Sequence, residues 1–498
     1  MSLNTGAPAD LPAASLPEVA LPAEPGRPAT AITETRPVAP ITQPALPHAR
    51  PQFAMAGPPR VQLAAPFFNG PPSSSPNGSP NATPGEPGGT GQSLAPTGAG
   101  AADAPAPAGP SFGLLAHVEP EPGPSDPFGL SLRIPTAQTL PENPYVQRAP
   151  EQRENLVKRM GGSDRTEAAV SSALKWLAAH QSSNGRWSST HFDDDCGQCS
   201  GAAQLQADVA MTGLAILCFL GADHTHLKDG PYHDNVRRGL RWLRKRQQDD
   251  GDLRNNESMY SQGIATIALA EAYGMTRDDA LAEPVRRAAG FIWKARNRRG
   301  AGWRYEPGQF GDTSVLGWQV MALRSAQRAG IDIPDDVFAV AQHWLELVSS
   351  RSRPGLYAYQ PGRSVTPSMT AEGMFVLQLT GVPPADSRMD TAAALLLRNR
   401  PDWDGRANTY YWYYATLALY QRQGSDWPKW NGRLVRELLA HQETDGAATG
   451  SWPPEGEWAP AGGRVYQTAL CTLMLEVYYR YLPMYAAGSP TTQSAKSQ

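Results

Sequence analysis

The sequence predicts an all-α protein, an α6/α6 toroid in which six helical hairpins form a double ring, preceded by a long disordered N-terminal tail. A helix-turn-helix unit that first appears between Ala173 and Leu220 recurs along the chain. The second helix of each unit is apolar on most faces and must be surrounded, whereas the first keeps a polar face for water. All 13 Trp residues lie between Trp176 and Trp458, which concentrates the core-forming residues in one segment.

The first 148 residues have the composition of a disordered chain. They contain no Lys and no Trp, and Pro, Gly, Ala and Ser dominate runs such as PNGSPNATPGEPGGTG. Such a segment holds too few large apolar groups to offset the chain entropy lost on folding. We therefore expect a tail at residues 1–148, a toroid domain at 149–485 and a second disordered tail at 486–498.

Two Phe-Gly-Leu segments, around Phe112 and Phe128, interrupt the polar tail. They are either chance features of a low-complexity sequence or docking segments for a partner or for the protein's own domain.

The repeats share residues at matching positions. The first repeat contains Trp176, Gln181, Gly185 and Trp187, the second contains Trp242, Gln247, Gly251 and Leu253, and the sixth contains Gln442 and Gly446. In chain order, the inner helices are predicted to begin near Asp208, Met259, Asp312, Met369, Asn408 and Val465. Six hairpins that close into a ring need no capping repeats, so a closed double ring is favoured, and an open superhelix is the alternative.

The segment from Gln181 to Trp187 resembles the repeat motif of squalene cyclases and protein prenyltransferase β subunits, the terpenoid-cyclase toroid superfamily. Residues 165–485 carry the resemblance, and runs such as MYSQGIATIALAEAYGMT are similar to bacterial squalene-cyclase-like repeat proteins of unassigned activity. The resemblance implies that Gln181, Gln247, Gln442 and Trp187 are structural and tie an outer helix to the start of an inner one. It does not imply an activity, because one fold hosts unrelated functions.

The catalytic motifs that the resemblance would imply are missing from the sequence. Cyclases of this type use Asp-x-Asp-Asp as their acid, whereas the nearest run here is Asp193-Asp194-Asp195-Cys196. Prenyltransferase β subunits hold zinc with Asp-x-Cys and a His, and none of the predicted inner-helix starts carries either. The thioester motif Cys-Gly-Glu-Gln of a third toroid family is also absent, since Cys196-Gly197-Gln198 lacks the Glu.

A zinc site of another kind is one interpretation of the first repeat's loop. Cys196 and Cys199 form a Cys-x-x-Cys pair, with His191 before them and His224 or His226 after. The alternative is a reduced, Asp-rich surface loop, which we favour, so no cofactor is expected.

The cavity of the ring is where a ligand is expected. Parallel inner helices would place their positive N-terminal dipole ends around one mouth, which favours an anionic or carbonyl group. Asp208 and Asp312 stand at such helix starts, either as N-caps or as part of a polar ring. The aromatic residues expected with Asp208 around an apolar ligand are Tyr260, Trp303, Tyr305, Trp318, Tyr411, Trp412 and Tyr466.

Charge and composition restrict the function further. A net charge of -3 and a pI near 6.3 give no field that attracts nucleic acid or anionic lipid. No secretory signal and no membrane span is recognisable, and four Cys residues argue against a disulfide framework. We expect a soluble cytoplasmic protein and make no prediction of its oligomeric state.

Three functional hypotheses remain. The favoured one is a non-catalytic binding or scaffold toroid for an apolar, isoprenoid-like ligand or a protein segment. The others are a terpenoid-processing enzyme with altered acids and a toroid enzyme that acts on another substrate such as a polysaccharide. An enzyme would use Asp193, Asp194, Asp195 or Asp312 as acids.

Overall fold

The computed structural model describes residues 145–194, 199–299, 302–404 and 407–481. Within these ranges the chain forms 14 α-helices, joined by loops and three short 3-10 turns at Val146–Arg148, Asp335–Phe338 and Gly446–Ala448. The helices are α1 (Pro150–Met160), α2 (Asp164–Ala179), α3 (Asp208–Gly221), α4 (His233–Arg246), α5 (Met259–Thr276), α6 (Asp279–Ala295), α7 (Thr313–Arg328), α8 (Ala339–Val348), α9 (Pro367–Leu379), α10 (Ser387–Arg398), α11 (Thr409–Arg422), α12 (Asp426–Ala440), α13 (Ala459–Leu475) and α14 (Val477–Arg480).

The odd-numbered helices from α3 to α13 form a closed inner ring. Each packs against the next one along the chain, and α13 packs against α3. The even-numbered helices from α2 to α12 pack outside this ring against the inner helices. Every residue of α3 is buried, as a helix surrounded on all sides requires. The predicted all-α double ring of six hairpins is confirmed, and the contact between α13 and α3 excludes the open superhelix.

The repeat motif ties each outer helix to its neighbours. In the first repeat, Gln181 Nε2 donates to the carbonyls of Gly185 at 2.8 Å and Asn235 at 2.9 Å. The Trp187 indole donates to Leu177 O at 2.7 Å, and its backbone N–H donates to Thr212 Oγ1 on α3 at 3.0 Å. These bonds join α2, α3 and α4, so the structural role expected of Gln181 and Trp187 is confirmed.

Gln442 makes both equivalent contacts in its repeat, and Gln247 makes the one to the next outer helix. Gln247 Nε2 donates to Pro284 O on α6 at 2.9 Å. Gln442 Nε2 donates to Ala169 O on α2 and to Gly450 O, both at 2.9 Å. The bond from Gln442 to α2 joins the last repeat to the first.

The glycine of the motif is required by a close backbone approach. Gly185 has a φ of +99°, and a Cβ there would lie 2.6 Å from Arg238 O. In the sixth repeat this environment belongs to Gly450, with a φ of +92° and Ser172 O at 2.3 Å from a Cβ. The prediction that Gly446 matches Gly185 is therefore wrong, because a Cβ on Gly446 would meet nothing within 4 Å.

The mouth at the C-terminal ends of the inner helices is closed by a buried ion cluster. Arg148 Nη2 donates to Glu271 Oε2 at 2.7 Å, and Arg480 Nη2 donates to Glu271 Oε1 at 3.0 Å. Arg148 also donates to Leu220 O at the end of α3. The sequence predicts the domain from residue 149, whereas the full burial of Arg148 extends the toroid to residues 145–148.

The centre of the ring is filled by aromatic side chains. Trp318 on α7 stacks on Tyr413 on α11, with ring centroids 5.6 Å apart and an interplanar angle of 9°. Because α9 lies between these two helices in the ring, this contact spans the interior. None of the described helices is both long and apolar enough to cross a membrane.

Candidate functional site

A cavity of about 570 Å³ opens at the mouth formed by the N-terminal ends of the inner helices, where α9 and α11 meet. Backbone bonds link the starts of other inner helices around this mouth, for example from Met259 N to Tyr305 O and from Thr313 N to Tyr359 O. The starts of α9 and α11 are each capped by a side chain that also lines the cavity. Thr366 accepts from Met369 N at the start of α9, and Asn408 accepts from Tyr411 N at the start of α11.

The inner part of the cavity is lined by buried residues of α7, α9 and α11, which are Ser314, Met369, Tyr410, Tyr411 and Trp412. The Tyr411 hydroxyl donates to Leu396 O at 3.2 Å on α10, so its ring is held at a fixed position. These residues form an apolar and aromatic floor that carries a small number of hydroxyl groups.

Two buried carboxyl groups lie directly behind this floor. Glu372 on α9 is fully buried and accepts from Gly317 N at 2.8 Å, and its other oxygen lies 2.8 Å from the Tyr410 hydroxyl. Burial raises the pKa of Glu372 well above its usual value, and the bonds to Tyr410 and Gly317 only partly oppose this. Glu372 is not among the residues predicted from the sequence, although a lone Glu within the apolar run MTAEGMFVL is a signal of a buried carboxyl group.

Asp312 is the second buried carboxyl group. It caps α7, where it accepts from Val315 N at 2.9 Å, and it accepts from Ser314 Oγ at 2.8 Å. Burial raises the pKa of Asp312 to about 6, although these bonds and the Arg304 guanidinium, with Nε 3.5 Å from Oδ2, act in the opposite direction. Asp312 is therefore an N-cap that reaches the cavity through the Ser314 hydroxyl and does not line it.

The rim of the cavity is polar and carries two exposed cations, Arg398 and Arg400. Of the rim carboxylates, Asp402 pairs with Arg433 at 3.2 Å, and Glu457 accepts from Asn408 Nδ2 at 2.6 Å. The rim thus places charge around the entrance while the floor is apolar.

The predicted cavity residues separate into three groups. Tyr411 and Trp412 line the cavity. Tyr260 and Tyr305 lie one step behind it, because their hydroxyls contact Ser314 Oγ at 2.5 Å and the Tyr359 hydroxyl at 2.6 Å.

The third group lies away from the cavity. Trp303, Trp318 and Tyr466 are core residues, and the Trp303 indole donates to Ile292 O at 2.6 Å. Asp208 borders a separate pocket of about 330 Å³ and accepts from Ser189 N at 3.0 Å. Helical periodicity marks Trp318 and Tyr466 as buried, but only packing decides which of the predicted residues reach the cavity.

Asp193 and Asp194, in the acidic loop of the first repeat, do not line the cavity. Asp193 and Asp194 lie in the loop between α2 and α3, whereas the cavity lies between α9 and α11. Asp195 and Cys196 fall outside the described residues.

The zinc candidates are not brought together in the part of the chain that the structure describes. Cys199 Sγ lies 3.2 Å from His180 Nε2, and His191 Nδ1 contacts Thr190 Oγ1. Among the described residues, no group of three or more His, Cys, Asp or Glu side chains could hold a metal ion.

No protein-family model and no curated protein sequence matches the chain. Among solved structures, the α-1,6-mannanase GH76A of Salegentibacter sp. HEL1_6 is 14% identical, with 64% of this chain and 99% of that chain covered and a TM-score of 0.45. The type II terpene cyclase MstE from Scytonema is 13% identical, with 64% and 99% covered and a TM-score of 0.42. An α-amylase from Clostridium perfringens is 10% identical, with 62% and 97% covered and a TM-score of 0.43. Similarity at this level transfers no function, and the toroid assignment rests on the closed ring of helix contacts.

Proposed function

We propose that the protein is a non-catalytic binding toroid whose cavity between α9 and α11 holds a small ligand with an apolar body and an anionic head group. The observation that carries this proposal is the cavity itself, about 570 Å³ with an aromatic floor and a charged rim. Ligand sites of proteins are typically apolar clefts of about 300–1,000 Å³ with a few placed polar groups.

The floor suits the apolar body of such a ligand. Tyr410, Tyr411, Trp412 and Met369 offer flat and polarizable surfaces, and burial of a hydrocarbon chain against them contributes about 25 cal/mol per Å² removed from water. An isoprenoid or another long apolar chain has this shape and chemistry.

The entrance suits an anionic head group. Arg398 and Arg400 supply two cations at the rim. The N-terminal ends of α9 and α11 add partial positive charge at the same entrance, since Thr366 and Asn408, which cap them, line the cavity. A carboxylate or phosphate would therefore bind at the rim, with its chain directed to the floor.

Titration of the full chain with dodecanoate and with farnesyl phosphate, followed by tryptophan fluorescence and calorimetry, tests the proposal. We expect saturable binding of at least one probe, and a loss of about 5- to 20-fold in affinity in an Arg398→Gln, Arg400→Gln double variant. The matched control is Arg241→Gln with Arg244→Gln, two exposed arginines on α4. Absence of binding to both probes, together with no lipid co-purifying with the protein, would refute the proposal.

A protein segment is the other occupant to test. The Phe-Gly-Leu segments around Phe112 and Phe128 lie outside the described residues, so a synthetic peptide of residues 110–131 is the probe. Displacement of a bound probe by this peptide would assign the cavity to a protein segment.

An enzyme is a second candidate function because two buried carboxyl groups, Asp312 and Glu372, are hydrogen-bonded to hydroxyl groups of the cavity floor. A raised pKa next to a cleft is typical of an acid that transfers protons near neutral pH. If a turnover activity is found, an unchanged rate in both Asp312→Asn and Glu372→Gln would remove them as acids.

A further inference from the structure

We propose that the cavity floor recognises a hydroxyl group of the ligand, with Ser314 Oγ as the acceptor, so that the ligand carries a hydroxyl at the end of its apolar body opposite its anionic head. This inference rests on the proposed binding function and narrows it to a hydroxylated amphipathic anion. The inference follows from which groups of the protein accept the hydrogens of the hydroxyl groups in the cavity floor.

The Ser314 hydroxyl has a single hydrogen, and it donates this hydrogen to another group of the protein. Ser314 Oγ donates to Asp312 Oδ1 at 2.8 Å, and Asp312 is fully buried. The Tyr260 hydroxyl lies 2.5 Å from the same Ser314 Oγ, so Tyr260 must be the donor in that contact. A serine hydroxyl offers one hydrogen and two acceptor positions, which leaves Ser314 only an acceptor to present to a ligand.

The Tyr410 hydroxyl also donates its single hydrogen to a group of the protein. It lies 2.9 Å from Ser314 O and 2.8 Å from Glu372 Oε2. Ser314 O can only accept, so the single Tyr410 hydrogen goes to Ser314 O when Glu372 is protonated and donates to Tyr410, and it goes to Glu372 when that carboxyl is ionised; in either state no Tyr410 hydrogen remains for a ligand. The full burial of Glu372 and the absence of a cation contact to it among the described residues favour the protonated carboxyl group.

Because the hydroxyl hydrogens of Ser314 and Tyr410 are donated to protein groups, the floor favours a ligand hydroxyl over a ligand carbonyl or ether oxygen. A ligand hydroxyl can donate to Ser314 Oγ and recover the hydrogen bond that it loses on leaving water. A ligand carbonyl or ether oxygen finds no donor at Ser314 and forgoes this hydrogen bond.

Dodecanoate and 12-hydroxydodecanoate are the matched probes, because they share head group and chain length and differ only in the terminal hydroxyl. Calorimetric titration of the full chain should give binding about 3- to 10-fold tighter for the hydroxylated acid, the range of one net hydrogen bond. The ratio of the two affinities is the readout, so a variant that is less stable remains interpretable.

The variants separate recognition from packing. Ser314→Ala should reduce the ratio to about one or below, and Tyr410→Phe, which removes the neighbouring hydroxyl, should lower it. Ser368→Ala is the control, because Ser368 also lines the cavity at the start of α9. Glu372→Gln should keep the ratio of the natural protein, since the amide can donate to Tyr410 and accept from Gly317 N as a protonated carboxyl does.

The outcomes distinguish this inference from the proposed function. If both acids bind the natural protein with equal affinity, or if Ser314→Ala leaves the preference unchanged, the hydroxyl recognition is wrong and the binding function stands. If neither acid nor farnesyl phosphate binds, the proposed function fails and this inference fails with it.

Discussion

The ion cluster that closes the C-terminal mouth of the ring makes Glu271→Gln an informative substitution. Glu271, Arg148 and Arg480 are each at most 1% exposed, and the carboxylate accepts from both guanidinium groups, at 2.7 and 3.0 Å. Removal of the negative charge leaves two buried cations without their direct ion-pair partner. Loss of one partner of a buried ion pair typically costs about 3–5 kcal/mol. Because a Gln oxygen still accepts a hydrogen bond, we expect the free energy of unfolding to fall by about 3 kcal/mol.

Equilibrium unfolding in urea, followed by tryptophan fluorescence at pH 7, measures this loss. The control is Glu154→Gln, which removes an exposed ion pair with Lys158 and should leave the unfolding midpoint unchanged. A free energy of unfolding of the Glu271→Gln variant within about 1 kcal/mol of that of the natural protein would refute the reasoning, because it would mean that the cluster is not desolvated.

The pH dependence provides a second measurement on the same variant. Burial raises the pKa of Glu271, but the two arginines outweigh it and lower the pKa below the usual value. A lowered folded-state pKa contributes stability that is present above the unfolded pKa of about 4.3 and is lost as the pH falls through the folded pKa. The difference between the natural protein and Glu271→Gln should therefore shrink below about pH 4, and a constant difference would contradict the assignment.

Two further predictions concern the repeat motif and the cap of α7. Gly185→Ala should destabilise the fold by more than about 1 kcal/mol, since its Cβ would meet Arg238 O at 2.6 Å, and Gly446→Ala in open space is the control that should lose less in urea unfolding. Asp312 has a folded pKa of about 6, raised by burial, so its contribution is present at low pH and lost as the pH rises through 6. Asp312→Asn keeps a capping side chain, so its stability relative to the natural protein should rise by about 3 kcal/mol between pH 3 and pH 7, and a gain that is absent or falls with pH would show that Asp312 is not desolvated.

The repeats and the division into inner and outer helices were predictable from the sequence because both depend on local periodicity. Apolar residues on every face predict a surrounded helix, and this placed the start of α3 at Asp208 and of α5 at Met259, where the structure has them. The predicted start near Val465 agrees with the inner helix that follows the non-helical residue Gly463, and the turn at 459–462 that precedes it was not predicted. A polar, Gly-rich start of this kind has no periodic signal.

The positions of the functional groups were decided by the tertiary structure alone. In the run from Tyr410 to Tyr413, periodicity marks all four aromatic residues as buried, yet three line the cavity and Tyr413 stacks on Trp318 across the ring. Glu271 meets Arg148 and Arg480 from 123 and 209 residues away, and pairing over such distances leaves no local pattern. Local sequence determines which residues leave water, whereas ring closure determines which of them meet and where a gap is left for a ligand.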